Sequence, residues 1–428
     1  MIITFIQPSV IGFRKKSHMR IEPTIYGRLK AMTPSDITCK LYDLRVEDVD
    51  YEAPTDLVVI SLNTVGAKCA YEVADKYLAM GVKVVLGGIH VNLNPEEAQK
   101  HATSLSMGEC EMVWPDIIKD FRAGQLKPKY QSDKRYDFKD YDIDLSIFEG
   151  KKYLPLHCVE TSRGCKFNCG FCSLAPIYKQ CVMYRNPNDV IEQIKQYKEK
   201  YLLFVDENFG NNIEHTKEIA TKMIPLKKKW VAQMSVNTLL DKEFVRLLKK
   251  SGCFGVFVGF ETINKEALKA MHKASNLKLE MYEQVMQNCI ENDITITGGF
   301  IAGYFEDTIE TVEKTFEFAN SFQFINLMYT NLIPIPGTPV YKKLLEENKI
   351  LIDNWWLQDI QYTKQAIYYT DKLTEQDMIR FGNNYCKRFF SLKNIFYRFI
   401  HSRYNWKMRI IILVSNIFAK YFFKIVGS

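Results

Sequence analysis

Hydrophobic and polar positions alternate with two different periods along the first 345 residues. Short β-branched runs at Ile2–Ile6, Thr38–Tyr42, Leu57–Leu62, Val82–Leu86 and Ser104–Met107 are separated by stretches such as Ala67–Met80, whose apolar residues recur at three- and four-residue steps. Strand–helix alternation at this spacing predicts a doubly wound parallel sheet over residues 1–125. Ligands of such sheets bind at the C-terminal strand ends, where Ser61-Leu62-Asn63-Thr64 and Gly87-Gly88-Ile89-His90 fall. Residues 126–155 are rich in Lys, Asp and Tyr with little periodicity, which predicts an ordered linker of unusual length. Alternation resumes over residues 156–345. Strands are expected at Leu156–Glu160, Leu202–Val205, Val231–Val236, Gly255–Phe260, Thr295–Ile301 and Asn326–Ile333, with helices such as Asp189–Tyr197, Lys242–Lys250 and Leu279–Glu291 between them. Six such units predict a partial barrel whose functional groups sit at the strands' C-terminal ends. Residues 346–428 begin near Trp355-Trp356 and continue in helical patterns.

Composition narrows the class. A chain of 428 residues with 47% hydrophobic content can bury two or three cores. Met1–Ile6 lacks a basic start and is too short for a signal sequence, so the eleven cysteines are expected to be reduced thiols in the cytoplasm. The net charge of +7 is local. After Asp377 there is no acidic residue, and ten lysines and arginines follow, which leaves residues 1–377 at −3. This excludes a general polyanion-binding surface, and no RNA-binding module accompanies the charge.

The chemistry is concentrated in Arg163-Gly164-Cys165-Lys166-Phe167-Asn168-Cys169-Gly170-Phe171-Cys172. The spacing C-x3-C-x2-C on one short loop supplies three soft thiolates, enough for three irons of a 4Fe–4S cluster with the fourth iron left open. A zinc loop or three structural thiols is the alternative, although zinc sites of the structural kind close four positions. Cys158 and Cys181 lie near the loop, and the other cysteines are scattered without ligand spacing. His90 and His157 are expected to be structural.

The loop resembles the cluster loop of the radical S-adenosylmethionine (SAM) superfamily, C-x3-C-x-aromatic-C. That resemblance implies Cys165, Cys169 and Cys172 as cluster ligands and Phe171 near the adenine of SAM. It also implies a partial, TIM-like (β/α)6 barrel and reductive cleavage of SAM to a 5′-deoxyadenosyl radical. Further matches follow in order. Asp206-Glu207-Asn208 would accept from the SAM amino group, and the alternation of Gln233 and Ser235 with apolar residues on the third strand would turn them into the barrel. The glutamate of Gly259-Phe260-Glu261 would approach the ribose, and Gly299, Ile301 and Gly303 fit the adenine-contacting pattern G-x-I-x-G. Pro334-Ile335-Pro336-Gly337-Thr338-Pro339 resembles a turn of the cobalamin-associated subgroup.

The first domain is similar to the Rossmann-like cobalamin-binding domain found in many radical SAM enzymes. The likeness runs through Asp56–Thr64, Gly87-Gly88-Ile89-His90, Pro95-Glu96-Glu97-Ala98, Gly108-Glu109 and Trp114-Pro115-Asp116. It implies that Ser61, Leu62, Thr64, Gly87 and Gly88 cradle the corrin. The place of an axial histidine reads Gln7-Pro8-Ser9-Val10-Ile11-Gly12, with no histidine. Two readings stay open: hydrogen abstraction followed by cobalamin-dependent methyl transfer, or radical chemistry without methyl transfer on a domain that has lost cobalamin.

The expected partners are a small-molecule or lipid substrate and an electron donor such as flavodoxin or ferredoxin, and not nucleic acid. The basic, aromatic tail from Arg398 to Val426 is expected to lie on the inner face of an anionic membrane. A helix packed on the barrel with a solvated basic face is the alternative. The tail also tilts the expected substrate towards a lipid.

Overall fold

β-branched side chains fill both faces of the first sheet, as a strand buried on two sides requires. In the computed structural model, which describes residues 1–9, 20–273, 278–360 and 365–426, this sheet has six parallel strands. They are β1 (Ile2–Gln7), β2 (Thr38–Asp43), β3 (Leu57–Ser61), β4 (Lys83–Gly87), β5 (Ser104–Met107) and β6 (Lys129–Gln131), in the order β2-β1-β3-β4-β5-β6. Val58, Ile60, Val84 and Leu86 pack on the helix Ala67–Ala79 through Ala70, Val73 and Tyr77. Phe5, Leu57, Val59 and Val85 on the other face meet Tyr26, Trp114 and Ile117. The strand order reverses between β1 and β3, the switch point at which sheets of this kind bind their ligands. The strand β6 falls inside the stretch expected to be a linker. It is three residues long and only Tyr130 is buried, so it carries no readable period.

The second sheet is β7 (Leu156–Val159), β10 (Tyr201–Phe204), β11 (Lys229–Met234), β12 (Cys253–Glu261), β13 (Thr295–Ala302) and β14 (Asn326–Asn331), all parallel and adjacent in sequence order. Helices follow the strands, so the sheet is the open six-unit barrel that the alternation predicts. A separate antiparallel ribbon of β8 (Ser162–Arg163) and β9 (Met183–Tyr184) brackets the cysteine loop. The helix Glu375–Phe389 covers the edge strand β14, with Met378 O accepting from Asn331 Nδ2 at 2.6 Å. An exposed strand edge would otherwise leave its backbone groups unpaired.

The C-terminal strand ends of the two sheets face each other. Leu93, beyond β4, packs against Gly337 after β14, and Glu109, beyond β5, pairs with Arg163 just before the cysteine loop. The last two helices, Leu392–Ile400 and Trp406–Val426, lie at the opposite end of the barrel. Tyr404 Oη donates to Ile294 O at 2.9 Å and Asn416 Nδ2 to Ile325 O at 2.7 Å, residues that immediately precede β13 and β14. No described helix is long and apolar enough to cross a membrane.

Candidate functional site

The cysteine loop leaves the barrel after β7 and is held from several sides. Cys172 N donates to Cys169 O at 3.0 Å, and Gly170 N donates to Met271 O at 3.1 Å. Asn211 does the most to fix its start: its Nδ2 donates to Gly164 O at 2.9 Å and its Oδ1 accepts from Lys166 N at 3.3 Å. Burial pushes all three thiols upward, Cys169 to about 11, and the Cys172 charge adds to the rise at Cys165 and Cys169. Among the described residues no three His, Cys, Asp or Glu side chains converge as ligands of a single ion. A four-iron cluster makes no such demand, because each cysteine binds its own iron. Three neighbouring soft thiols on one loop supply one ligand to each of three irons.

Glu261 and Lys273 stand beside these thiols. Glu261 has a left-handed backbone (φ 66°) at a register shift between β12 and β13, and its carboxylate lies 2.5 Å from Lys273 Nζ. A bulge of this kind re-aims a side chain, and a non-glycine residue held there is strained. Burial opposes the Lys273 charge, yet Glu261 and the Cys169 and Cys165 thiols hold its pKa above the ordinary lysine value.

The acidic stretch after β10 divides its work. Asp206 accepts from Thr161 N (2.8 Å), Thr161 Oγ1 (2.6 Å) and Ser162 Oγ (2.6 Å), so it braces the chain ahead of the loop. Glu207 Oε2 accepts from Gly164 N at 3.0 Å. Burial raises Asp206 to about 6 and Glu207 to about 7. An ammonium placed beside either would favour its ionised form. Asn208 Oδ1 accepts from Ser235 N at 3.2 Å, and Ser235 Oγ donates to Asn237 Oδ1 at 2.7 Å.

Phe171 and Ile301 are half-buried against the main core. Gly299 lies under Phe257, whose Cζ would be 2.8 Å from an added Cβ. Gly303 (φ 91°) has its open side filled by Met378 and Tyr368, and Tyr368 Oη donates to Gly303 O at 2.7 Å. The C-terminal region therefore accounts for that glycine.

At the end of the first sheet, Ser61, Gly87 and Gly88 are partly accessible, while Leu62 and Thr64 are buried. Gly88 (φ 99°) is pressed against Leu62, whose carbonyl oxygen would be 2.6 Å from an added Cβ. His90 is fully buried between Thr64 Oγ1 and Glu97 Oε1, each at 3.1 Å, so it is structural. His157 pairs with Glu22 and Glu199 and is structural too. Glu97 also accepts from Tyr71 Oη (3.1 Å) and Trp356 Nε1 (2.9 Å), which ties the first domain to the C-terminal region. A cleft of 1080 Å³ opens between Leu93–Lys100, Asn168 of the cysteine loop and the Gly337 turn.

Sequence reasoning did not single out Asn211, Lys273 or the functional weight of Arg163. Asn211 has only its nearness to Asn208 as a signal, and Lys273 has none.

Residues 159–319 match the Radical SAM superfamily. The chain is 30% identical over 300 residues to bacteriochlorophyllide d C-12(1)-methyltransferase of Chlorobaculum tepidum, covering 68% of this chain and 66% of that protein, just under two thirds of its length. It is 28% identical over 357 residues to that organism's bacteriochlorophyllide d C-8(2)-methyltransferase, 77% of each chain. Among solved structures, the radical SAM methyltransferase TsrM of Kitasatospora setae, with cobalamin and a [4Fe-4S] cluster bound, superposes with a TM-score of 0.65. Its identity is 17%, and 81% of this chain and 78% of that one are covered. Residues 159–319 thus carry a radical SAM domain, and the chain shares the fold of TsrM, a Rossmann-like sheet ahead of an open barrel.

Proposed function

We propose that the chain is a cobalamin-dependent radical SAM methyltransferase acting on an unactivated carbon of a small molecule. The observation that carries this reading is the facing arrangement of the two sheets' strand ends, Leu93 against Gly337 and Glu109 against Arg163. A methyl carrier held by the first domain would stand over the barrel mouth. The names of the two methyltransferase relatives support the same reaction.

Cys165, Cys169 and Cys172 would hold three irons of a 4Fe–4S cluster. When bound, the reduced cluster supplies the electron that cleaves SAM, and cobalamin supplies the methyl group. The chain's own part is placement. Glu207 and Asn208 would meet the SAM amino group, Asp206 stiffens that segment, and Ser235 fixes Asn208. Glu261 would take the ribose hydroxyls, and Phe171, Gly299 and Ile301 would shape the adenine site. Ser61, Gly87 and Gly88 line the corrin face, with Leu62 and Thr64 supporting them from beneath. The described residues offer no axial histidine, since His90 is enclosed by its partners.

The reaction requires an electron donor such as flavodoxin or ferredoxin, and the chain works in the cytoplasm at the inner face of the membrane. The basic tail is at the far end of the barrel from the cysteines, so it bears on location and no longer favours a lipid substrate over another small molecule. Protein purified anaerobically and reconstituted with iron and sulfide should bind cobalamin in a 1:1 ratio. No bound cobalamin, with 5′-deoxyadenosine still formed, would assign the chain to radical chemistry without methyl transfer.

A further inference from the structure

We infer that the paired helices Leu392–Ile400 and Trp406–Val426 form a docking face for an anionic bilayer, with the catalytic mouth turned towards the aqueous side. This deepens the membrane location proposed above and is independent of the chemistry at the cysteines.

Both helices are amphipathic in an unusual sense, because each has two apolar faces. The inner faces rest on one floor. Ile395 and Ile412 are buried, and Arg398 Nη2 donates to Asn416 Oδ1 at 2.8 Å, while Asn416 itself donates to the barrel at Ile325. Because both inner faces meet the same end of the barrel, both outer faces point away from it together. Those outer faces carry Phe396, Ile400, Trp406, Ile411, Val414 and Phe418, each at least half exposed and Phe418 72% exposed. Their spacing follows successive helical turns, so they make stripes rather than scattered single residues. A contiguous apolar surface of this kind on a soluble chain marks an interaction site.

Charge selects the occupant. Lys393, Arg403 and Lys407 are exposed around the stripes, Lys420 is half-buried, and no acidic residue follows Asp377. A second copy would bring the same positive field against itself, whereas anionic headgroups complement it. Aromatic side chains with basic neighbours are the composition of a helix lying in the headgroup region. No described helix can span a bilayer, so the contact is peripheral. The floor beneath these helices is the N-terminal end of β13 and β14, opposite the cysteine loop, and docking there leaves the mouth in water.

The test is co-sedimentation of the reconstituted full chain with vesicles of pure phosphatidylcholine or of phosphatidylcholine with phosphatidylglycerol. Binding is expected only with the anionic vesicles and should weaken as salt rises. Val414→Asp combined with Phe418→Asp should reduce it at least about tenfold, with the visible absorption of the cluster and 5′-deoxyadenosine formation unchanged. Equal sedimentation with both vesicle types, or none with either from folded protein, would overturn the inference. A wild-type dimer in solution that the same double substitution turns into a monomer would also overturn it, in favour of a second copy as the occupant. Loss of SAM cleavage without loss of vesicle binding would instead count against the proposed chemistry.

Discussion

Arg163 Nη1 lies 2.6 Å from Glu109 Oε2, which joins the residue two places before the first loop cysteine to the end of a strand in the other domain. Its Nη2 reaches Glu111 at 2.9 Å and its Nε reaches Glu160 at 2.7 Å. Arg135 and Arg28 approach Glu109 and Glu111 from further away, at 3.5 and 3.8 Å. Glu109 and Glu111 are each only 4% exposed, so their charges depend on this guanidinium. The Gly108-Glu109 motif thus acts on the cysteine loop through Arg163. Replacing Arg163 by Gln would take the nearest cation from two buried carboxylates and leave them to Arg135 and Arg28, at a cost of about 3 kcal/mol. Urea unfolding of the apo chain should show that loss, and a chelator should strip iron from the reconstituted variant faster than from wild type.

The charge of Lys273 bears on all three loop thiols, and Glu261 holds it there at 2.5 Å. A nearby cation stabilises the more negative, reduced state of a cluster. Lys273→Met should therefore lower the cluster's midpoint potential in an EPR-monitored redox titration. An unchanged potential would place Lys273 away from the bound cluster.

Trp356 Nε1 donates to Glu97, whose carboxylate also serves His90 and Tyr71. Burial raises the Glu97 pKa, but the bonds from His90 and Trp356 outweigh it and leave the group below the usual carboxylate range. Trp356→Phe removes one donor and keeps most of the aromatic packing. The expected loss is about 1–2 kcal/mol in urea unfolding.

Asp307 accepts from Gly303 N at 3.1 Å, Tyr304 N at 3.0 Å and Asn264 Nδ2 at 3.1 Å, yet burial raises its pKa from 3.8 to about 6. A carboxyl with a raised folded pKa binds its proton more tightly in the native state. Its contribution is therefore fully present below pH 3.8 and is lost as pH rises through about 6. The difference is about 3 kcal/mol. Asp307→Asn removes this titration, so the variant's stability should change less than that of wild type between pH 4 and pH 7 in urea unfolding.

Five strands of the first sheet and all six of the barrel were legible because their β-branched runs are bounded by turns, and the six barrel strands agree with the expected ones to within two residues at each end. The three cysteines were legible because ligand spacing on one loop is a local pattern. What escaped was non-local. Asn211 holds Gly164 across 47 residues, Arg163 meets Glu109 across 54, and no period or spacing announces either contact. The glycine pattern was read as close approach of the backbone to the adenine. At Gly303, however, the approaching group is Tyr368 of the C-terminal region, which sequence order places 65 residues away. The tail's basicity was visible, but only the fold shows that it covers the end of the barrel opposite the cysteines.

The most direct measurement is 5′-deoxyadenosine formation from SAM under strong reductant, comparing reconstituted wild type with Cys165→Ala, Cys169→Ala and Cys172→Ala. The account predicts product from wild type and none from any of the three variants. Wild type with a full complement of iron and sulfide that leaves SAM intact would contradict it.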